Sequence, residues 1–286
     1  MLVKIEFWEG RMKNILSGSF SQVEEAVSES FAKSSINTIK EFSLLKAFAF
    51  TVFCIGLGSY ALYGVSIYLG NNMDKTAFPL DVNNEFIPVF SNIWYIHIQA
   101  LFISIVVITA LVYKEKNNVK AFFFYNLFFT LFLLLFLIFV FKVSQLFVNE
   151  FWLRMLYTVL FICSIVYVFL RSYHNAKKMV YGTKKKRSAI VEWFSRNRKS
   201  VMSILFGVWG IYYLAKVIFP ETGDFQTRLY GSLAEFAPLI MCLVFLTFLY
   251  LNSVIVRSYY LYRYSEEFRK KFRIAKKDWY GEKYKG

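Results

Sequence analysis

The stretch AFFFYNLFFTLFLLLFLIFVF, from Ala121 to Phe141, decides the fold of this chain. It contains no charged side chain, and its strongly polar side chains are those of Asn126 and Thr130. A helix of this length, rising about 1.5 Å per residue, spans about 30 Å, which is the thickness of the hydrocarbon core of a bilayer. The stretch is therefore predicted to cross a membrane as one α-helix.

Further apolar blocks of similar length lie on both sides of this stretch. They run from Leu44 to Leu69, Ile93 to Tyr113, Phe151 to Leu170, Val201 to Phe219 and Phe236 to Val256. Hydrophobic residues make up 57% of the 286 residues, more than the roughly 45 to 50% that soluble domains use. The sequence has no series of alternating segments of about ten residues, as a transmembrane β-barrel would need. We predict an all-α polytopic membrane protein with six transmembrane helices.

The distribution of basic residues predicts the orientation. With six spans, one side of the membrane receives the N-terminus through Lys46, residues 114–120 and 171–199, and the tail from Arg257. These segments hold 29 of the 34 Lys and Arg, so the positive-inside rule places both termini in the cytosol. Usage rich in Phe, Lys, Tyr and Asn is typical of an AT-rich bacterial genome, and the predicted location is a bacterial cytoplasmic (plasma) membrane.

Two segments flank the predicted transmembrane domain of residues 44–256 and its basic cytosolic loop 171–199. Residues 1–43 are predicted to form cytosolic or interfacial amphipathic helices, and their charges argue against a cleavable signal peptide. Their apolar residues recur at helical spacing in two sets: Ile5, Trp8, Met12 and Ile15, then Phe20, Val23, Val27 and Phe31. Residues 257–286 are predicted to form a basic cytosolic C-terminal helix and tail.

Few polar side chains lie within the predicted spans. The candidates for a polar pathway or for contacts with lipid headgroups are His97, Gln99, Asn126, Asn252, Arg154, Lys216 and Arg228. For the uncharged candidates the alternative is hydrogen bonding between helices, and for the charged ones it is snorkelling to the membrane surface. No Asp or Glu lies in the middle of a predicted span, which argues against transport coupled through buried carboxylates.

Small residues on the first span indicate close packing of helices. Gly56, Tyr60, Gly64 and Tyr68 share one face at four-residue spacing, and small residues allow two helices to approach closely. We therefore expect another helix to lie against this face.

Two basic clusters are predicted to lie at the cytosolic membrane surface. They consist of Lys184, Lys185, Lys186 and Arg187 in the loop, and of Arg269, Lys270 and Lys271 in the tail. We expect anionic lipid headgroups or a partner protein as their contacts. Binding of nucleic acid is disfavoured, because basic cytosolic flanks are usual in membrane proteins. No cofactor or metal site is predicted, since each of the three cysteines lies in a different apolar block.

Three kinds of function are compatible with this sequence. The favoured one is a non-enzymatic membrane component, either a channel-like or transport subunit or a scaffold subunit of a larger complex, assembled with copies of itself or with other membrane subunits. A lipid-modifying enzyme is the first alternative, with a phosphate headgroup bound near one leaflet by His97, Arg154, Lys216 and Arg228. A membrane protein of toxin immunity or phage defence is the second. No catalytic motif and no P-loop occurs in the sequence, which disfavours an enzyme without excluding one.

Overall fold

The computed structural model describes residues 15–64, 67, 93–148, 150–182, 203, 207, 210, 218 and 235–284. The regular secondary structure of these residues is entirely helical. In chain order the α-helices are α1 (Phe20–Val23), α2 (Glu29–Lys40), α3 (Leu44–Thr51), α4 (Ile93–Tyr113), α5 (Asn118–Ser144), α6 (Phe151–Tyr181), α7 (Ala237–Phe245), α8 (Phe248–Arg263), α9 (Ser265–Lys271) and α10 (Lys276–Tyr280).

Five helical segments of the described residues are long and apolar enough to cross a membrane. They are the first span Leu44–Gly64, the second Ile93–Tyr113, the third Asn118–Phe147, the fourth Phe151–Tyr181 and the C-terminal span Ala237–Arg263. The predicted all-α polytopic membrane fold is thereby confirmed. The predicted span Val201 to Phe219 lies outside the described residues apart from isolated positions, so the count of six stays a prediction.

The spans leave most of their apolar surface uncovered by the described part of the chain. Only 17% to 39% of the most apolar window of each span is buried, and large side chains such as Phe53, Trp94 and Tyr250 are more than two-thirds exposed. A soluble monomer rarely exposes so large a contiguous apolar surface. Lipid is therefore the medium that this surface fits.

The first span changes its winding part-way along. It begins as α3, where the Ser43 hydroxyl accepts a hydrogen bond from the Lys46 amide at 3.2 Å, and it continues as a π-helix over Val52–Ala61. The Ser59 hydroxyl donates to the Cys54 carbonyl, five residues earlier, at 3.1 Å. Stretches of π-helix are rare and are frequent at functional sites.

Gly56 and Gly64 point away from the other described helices. Both are exposed, and no atom of another described helix lies within 4 Å of a Cβ built on either. Tyr60 on the same face does contact the second span through His97, but the close packing expected at the two glycines is not made by the described helices.

The second and third spans form an antiparallel pair, joined by a turn at residues 114–117. The Asn117 side chain closes this turn by accepting a hydrogen bond from the Lys120 amide at 2.9 Å.

Aromatic rings fill the space between the first and third spans. Tyr125 and Phe132 both stack on Phe129 of their own helix, and Phe50 of α3 packs against Tyr125 and Phe129.

The third, fourth and C-terminal spans meet around Phe161. Its ring stacks on Phe141 at 3.9 Å between centroids and meets the edge of Phe245 at 5.5 Å. The fourth span continues past the predicted boundary at Leu170 and ends at Gly182, which takes the left-handed conformation with a φ of 62°.

Candidate functional site

The N-terminal and C-terminal segments pack together at one end of the bundle, in what we call the terminal platform. The platform consists of α1, α2, α9 and α10 and of the adjacent ends of α5, α6 and α8. Its apolar core is a single cluster of buried residues, formed by Val23, Val27, Ala32, Ile36, Val119, Val180, Tyr260, Leu261, Phe268, Trp279 and Tyr280. Because α5, α6 and α8 each contribute to this core, the platform is fixed to three spans.

Two tyrosines at the end of the C-terminal span hold the N-terminal segment at Gly18. The Gly18 amide donates to the Tyr260 hydroxyl at 3.2 Å, and the Tyr264 hydroxyl donates to the Gly18 carbonyl at 2.7 Å. A Cβ built on Gly18 would lie 2.5 Å from Cγ1 of Val180. Only glycine therefore fits at this point without displacing a neighbour.

The C-terminal tail is anchored at two points. The fully buried Trp279 donates from Nε1 to the Ser265 hydroxyl at 2.8 Å. Further on, the Lys283 amide donates to the Glu115 carbonyl at 2.9 Å, and the ammonium group of Lys283 lies 3.2 Å from the carboxylate of Glu115. The tail thus connects α9 with the turn between the second and third spans.

The structure describes the basic cluster of the tail and gives two of its members partners within the platform. Arg269 donates to the Glu266 carboxylate at 2.9 Å and to the Ile274 carbonyl at 3.0 Å. Lys271 donates to the Glu24 carbonyl at 2.9 Å and lies 3.1 Å from the Glu24 carboxylate. Lys270 is exposed. The loop cluster, Lys184 to Arg187, lies outside the described residues.

Burial and hydrogen bonding shift two pKa values at the tail anchor. Desolvation raises the pKa of Tyr280 to about 12, and the neighbouring Glu266 carboxylate adds to the shift. Desolvation also acts to raise the pKa of Glu266, but hydrogen bonds from Arg269 and Tyr280 outweigh it and hold that pKa below its usual value of 4.5. Both shifts follow from the packing of the tail against α9.

A charged cleft lies where the end of α2, the turn at residues 114–117 and α10 with the following tail meet. Its volume is about 270 Å³, and its lining residues are Lys40, Lys114, Glu115, Lys277, Asp278, Gly281 and Glu282. Lys114 donates to the Phe42 carbonyl at 3.0 Å, and Lys40 lies 3.9 Å from the carboxylate of Asp278. The cleft thus offers side chains of both signs of charge.

Two of the predicted polar candidates lie in the second span, opposite the π-helix. His97 is exposed, and its Nδ1 lies 2.8 Å from the Tyr60 hydroxyl. Gln99 is fully buried, and its Oε1 accepts a hydrogen bond from the Ser59 hydroxyl at 2.9 Å. Both candidates therefore contact the first span, but on different faces of it.

The Gln99 amide is not fully satisfied within the described residues. The Ser59 hydroxyl has one hydrogen and faces both the Cys54 carbonyl and the Gln99 amide. In the orientation shown, Gln99 Nε2 has no partner among the described residues. If the amide is flipped, Nε2 donates to Ser59, and Oε1 becomes the atom without a hydrogen-bond partner among the described residues.

No protein-family model, no curated protein and no solved structure matches this chain.

The other described candidates within the spans lie on three different helices. Asn252 of the C-terminal span donates to the Ser172 hydroxyl of the fourth span at 2.9 Å. Asn126 donates to the Phe122 carbonyl of its own helix at 2.7 Å. Arg154 lies in the first turn of α6, at the end of the bundle opposite the platform. Lys216 and Arg228 lie outside the described residues.

Sequence reasoning did not find the residues that form the cleft and the tail anchor. Lys40, Lys114 and Lys277 belong to segments that the sequence predicts to be cytosolic, but no local pattern relates them to one another. Within the described ranges, no group of three His, Cys, Asp or Glu side chains is placed to hold a metal ion.

Proposed function

We propose that this protein is a non-enzymatic membrane component that serves as a scaffold subunit of a larger membrane complex, with the terminal platform as its docking element. The platform carries this proposal. Both chain segments outside the bundle are bound to the ends of three spans through a buried apolar core and through side-chain hydrogen bonds at Gly18 and Trp279. Such a surface is ordered before a partner arrives, so binding costs little further ordering.

We propose further that the platform lies in the cytosol and that the chain crosses a bacterial cytoplasmic membrane six times. The ends of the described helices support this topology. The fourth span ends at the platform, where Val180 is part of the core, whereas the C-terminal span starts at the opposite end, where Cys242 packs in one cluster with Val148 and Leu153. Tags at Met1 and Gly286 should both be shielded in intact cells, and tags found on different faces would contradict the topology.

A channel is the less favoured form of the same proposal. Between the first and third spans, stacked aromatic rings fill the interior, and Phe161 is packed between Phe141 and Phe245. An aqueous pathway needs polar lining groups instead. Protein reconstituted into liposomes should therefore leave their permeability to ions and small solutes unchanged, and a reproducible flux would favour the channel.

The scaffold role is tested by the mass of the particle extracted in native lipid discs. We expect a particle heavier than one 33.7 kDa chain, containing further copies or other membrane subunits. Charge reversal at the exposed Lys270 and Lys276 should reduce this association, while Trp94→Phe on the lipid-facing surface should not. A monomeric chain without a partner would overturn the proposal.

A further inference from the structure

The charged cleft of the platform lies at the edge of the apolar surface. Lys40 precedes the first span by four residues, and Lys114 directly follows Tyr113, the last residue of the second span. Leu44 and Leu45, at the start of the first span, are 76% and 77% exposed. A group bound in the cleft would therefore lie at the depth of the lipid headgroups, beside side chains that face acyl chains.

The lining of the cleft carries no net charge. Three ammonium groups, from Lys40, Lys114 and Lys277, face three carboxylates, from Glu115, Asp278 and Glu282. A lining of this kind favours neither an anion nor a cation by its total charge. A ligand that carries both signs can pair with both sets.

Some of these charges are already paired within the chain. The Glu115 carboxylate lies 3.2 Å from the ammonium group of Lys283, and Lys40 lies 3.9 Å from Asp278. The side chains of Lys277 and Glu282 have neither an ion pair nor a hydrogen bond among the described residues, and both are exposed. One cationic and one anionic group thus line the cleft with their full hydrogen-bonding capacity available.

We propose that this cleft binds the headgroup of a phospholipid that carries a phosphate and a primary amine. The phosphate lies against Lys277 and Lys114, and the ammonium group of the lipid donates hydrogen bonds to Glu282. A quaternary ammonium has no N–H to donate, so a choline headgroup satisfies Glu282 less well. The volume of about 270 Å³ is slightly below the range of roughly 300–1,000 Å³ typical of small-molecule pockets, which suits a headgroup of this size.

The test is lipid retention by the full-length protein, measured by native mass spectrometry after reconstitution into discs of mixed phosphatidylethanolamine, phosphatidylcholine and phosphatidylglycerol. We expect preferential retention of phosphatidylethanolamine. Replacing Lys277 and Glu282 together by Gln should weaken this retention about ten-fold, since two ion pairs of exposed side chains are lost. The single change Glu282→Gln should shift the preference towards phosphatidylglycerol, because it removes only the group that recognises the amine.

The matched control is the double replacement of Lys33 and Glu29 by Gln. These residues lie in α2, are exposed and do not line the cleft, so the same loss of charges should leave retention unchanged. Equal retention of the three lipids, or equal loss in the control variant, would overturn the proposal. If soluble phosphoethanolamine released the retained lipid at comparable concentration, this would contradict the claim that the ligand of the cleft is a membrane lipid. The result does not depend on a partner subunit, so it stands apart from the test of the scaffold role.

Discussion

A Cβ built on Gly281 would lie 2.2 Å from the Cα of Glu115, so the C-terminal tail rests directly on the backbone of the turn between the second and third spans. Gly281 has a φ of 115°, which side-chain-bearing residues rarely adopt. The adjacent bond from the Lys283 amide to the Glu115 carbonyl fixes the contact. The close contact with the Glu115 backbone and the positive φ both require glycine at position 281.

We predict that Gly281→Ala releases the tail from the platform. The unfavourable φ alone should cost about 1–3 kcal/mol, and the overlap with Glu115 adds to it because backbone atoms cannot rotate away. Hydrogen exchange of residues 276–284 should therefore be faster than in the wild type, while exchange in the second and third spans should be unchanged.

Gly182→Ala is the control for this effect. Gly182 also has a positive φ, of 62°, but apart from its own helix and chain neighbours no atom of the described residues lies within 4 Å of a Cβ built there. The change should cost only about 1 kcal/mol of backbone strain at the end of α6 and leave the tail protected. Equal loss of tail protection in both variants would show that the contact with Glu115 contributes nothing.

The pair of Ser59 and Gln99 predicts an asymmetric response to mutation. Ser59→Ala removes the hydrogen-bond partner of a fully buried amide and should lower the unfolding free energy by about 1–3 kcal/mol. Gln99→Leu replaces the amide by an apolar group of similar size and should be nearly neutral. In the double variant the cost of Ser59→Ala should largely disappear.

A double-mutant cycle of thermal unfolding in detergent measures this coupling directly. If the two single changes were additive, the bond between the first and second spans would carry no energy of its own.

The membrane spans could be predicted because their determinant is local. Ala121 to Phe141 and Ile93 to Tyr113 are apolar runs whose length alone matches a bilayer. The predicted ends of the spans were less accurate where hydropathy does not determine the end of the helix. The fourth span was predicted to end at Leu170, where charges begin, but a helix tolerates Lys and Arg well and continues until Gly182 allows a left-handed cap.

The platform and the cleft could not be predicted because their contacts are distant in sequence. Glu115 and Gly281 are joined by no local pattern, and neither charge nor hydropathy indicates that the tail returns to that turn. The π-helix was equally invisible, since Val52–Ala61 has the composition of an ordinary membrane helix. In these cases tertiary packing selects the structure, and no short stretch of the sequence predicts it.

The hydrogen bond between Asn252 and Ser172 is predicted to stabilise the packing of the C-terminal span against the fourth span. Asn252→Leu should lower the unfolding free energy by about 0.6 kcal/mol, the typical value for such bonds in membranes. Asn126→Leu is the matched control, because the hydrogen bond of Asn126 within the described residues goes to the Phe122 carbonyl of its own helix. Thermal unfolding in detergent should separate the two variants, and equal effects would contradict an interhelical role.

The tail anchor is predicted to weaken in acid because of Glu266. Its pKa is lower in the folded protein than its usual value of 4.5, since hydrogen bonds from Arg269 and Tyr280 outweigh desolvation. The stabilisation is therefore complete above the unfolded pKa and is lost as the pH falls through the lower folded pKa. In fluorotryptophan-labelled protein, the fluorine NMR signal of the buried Trp279, assigned with Trp279→Phe, should shift towards the solvent-exposed position as the pH falls below about 4.5. Glu266→Gln should show the weakened anchor already at neutral pH and should lose this acid dependence, and an unchanged acid response in that variant would assign it to another carboxylate.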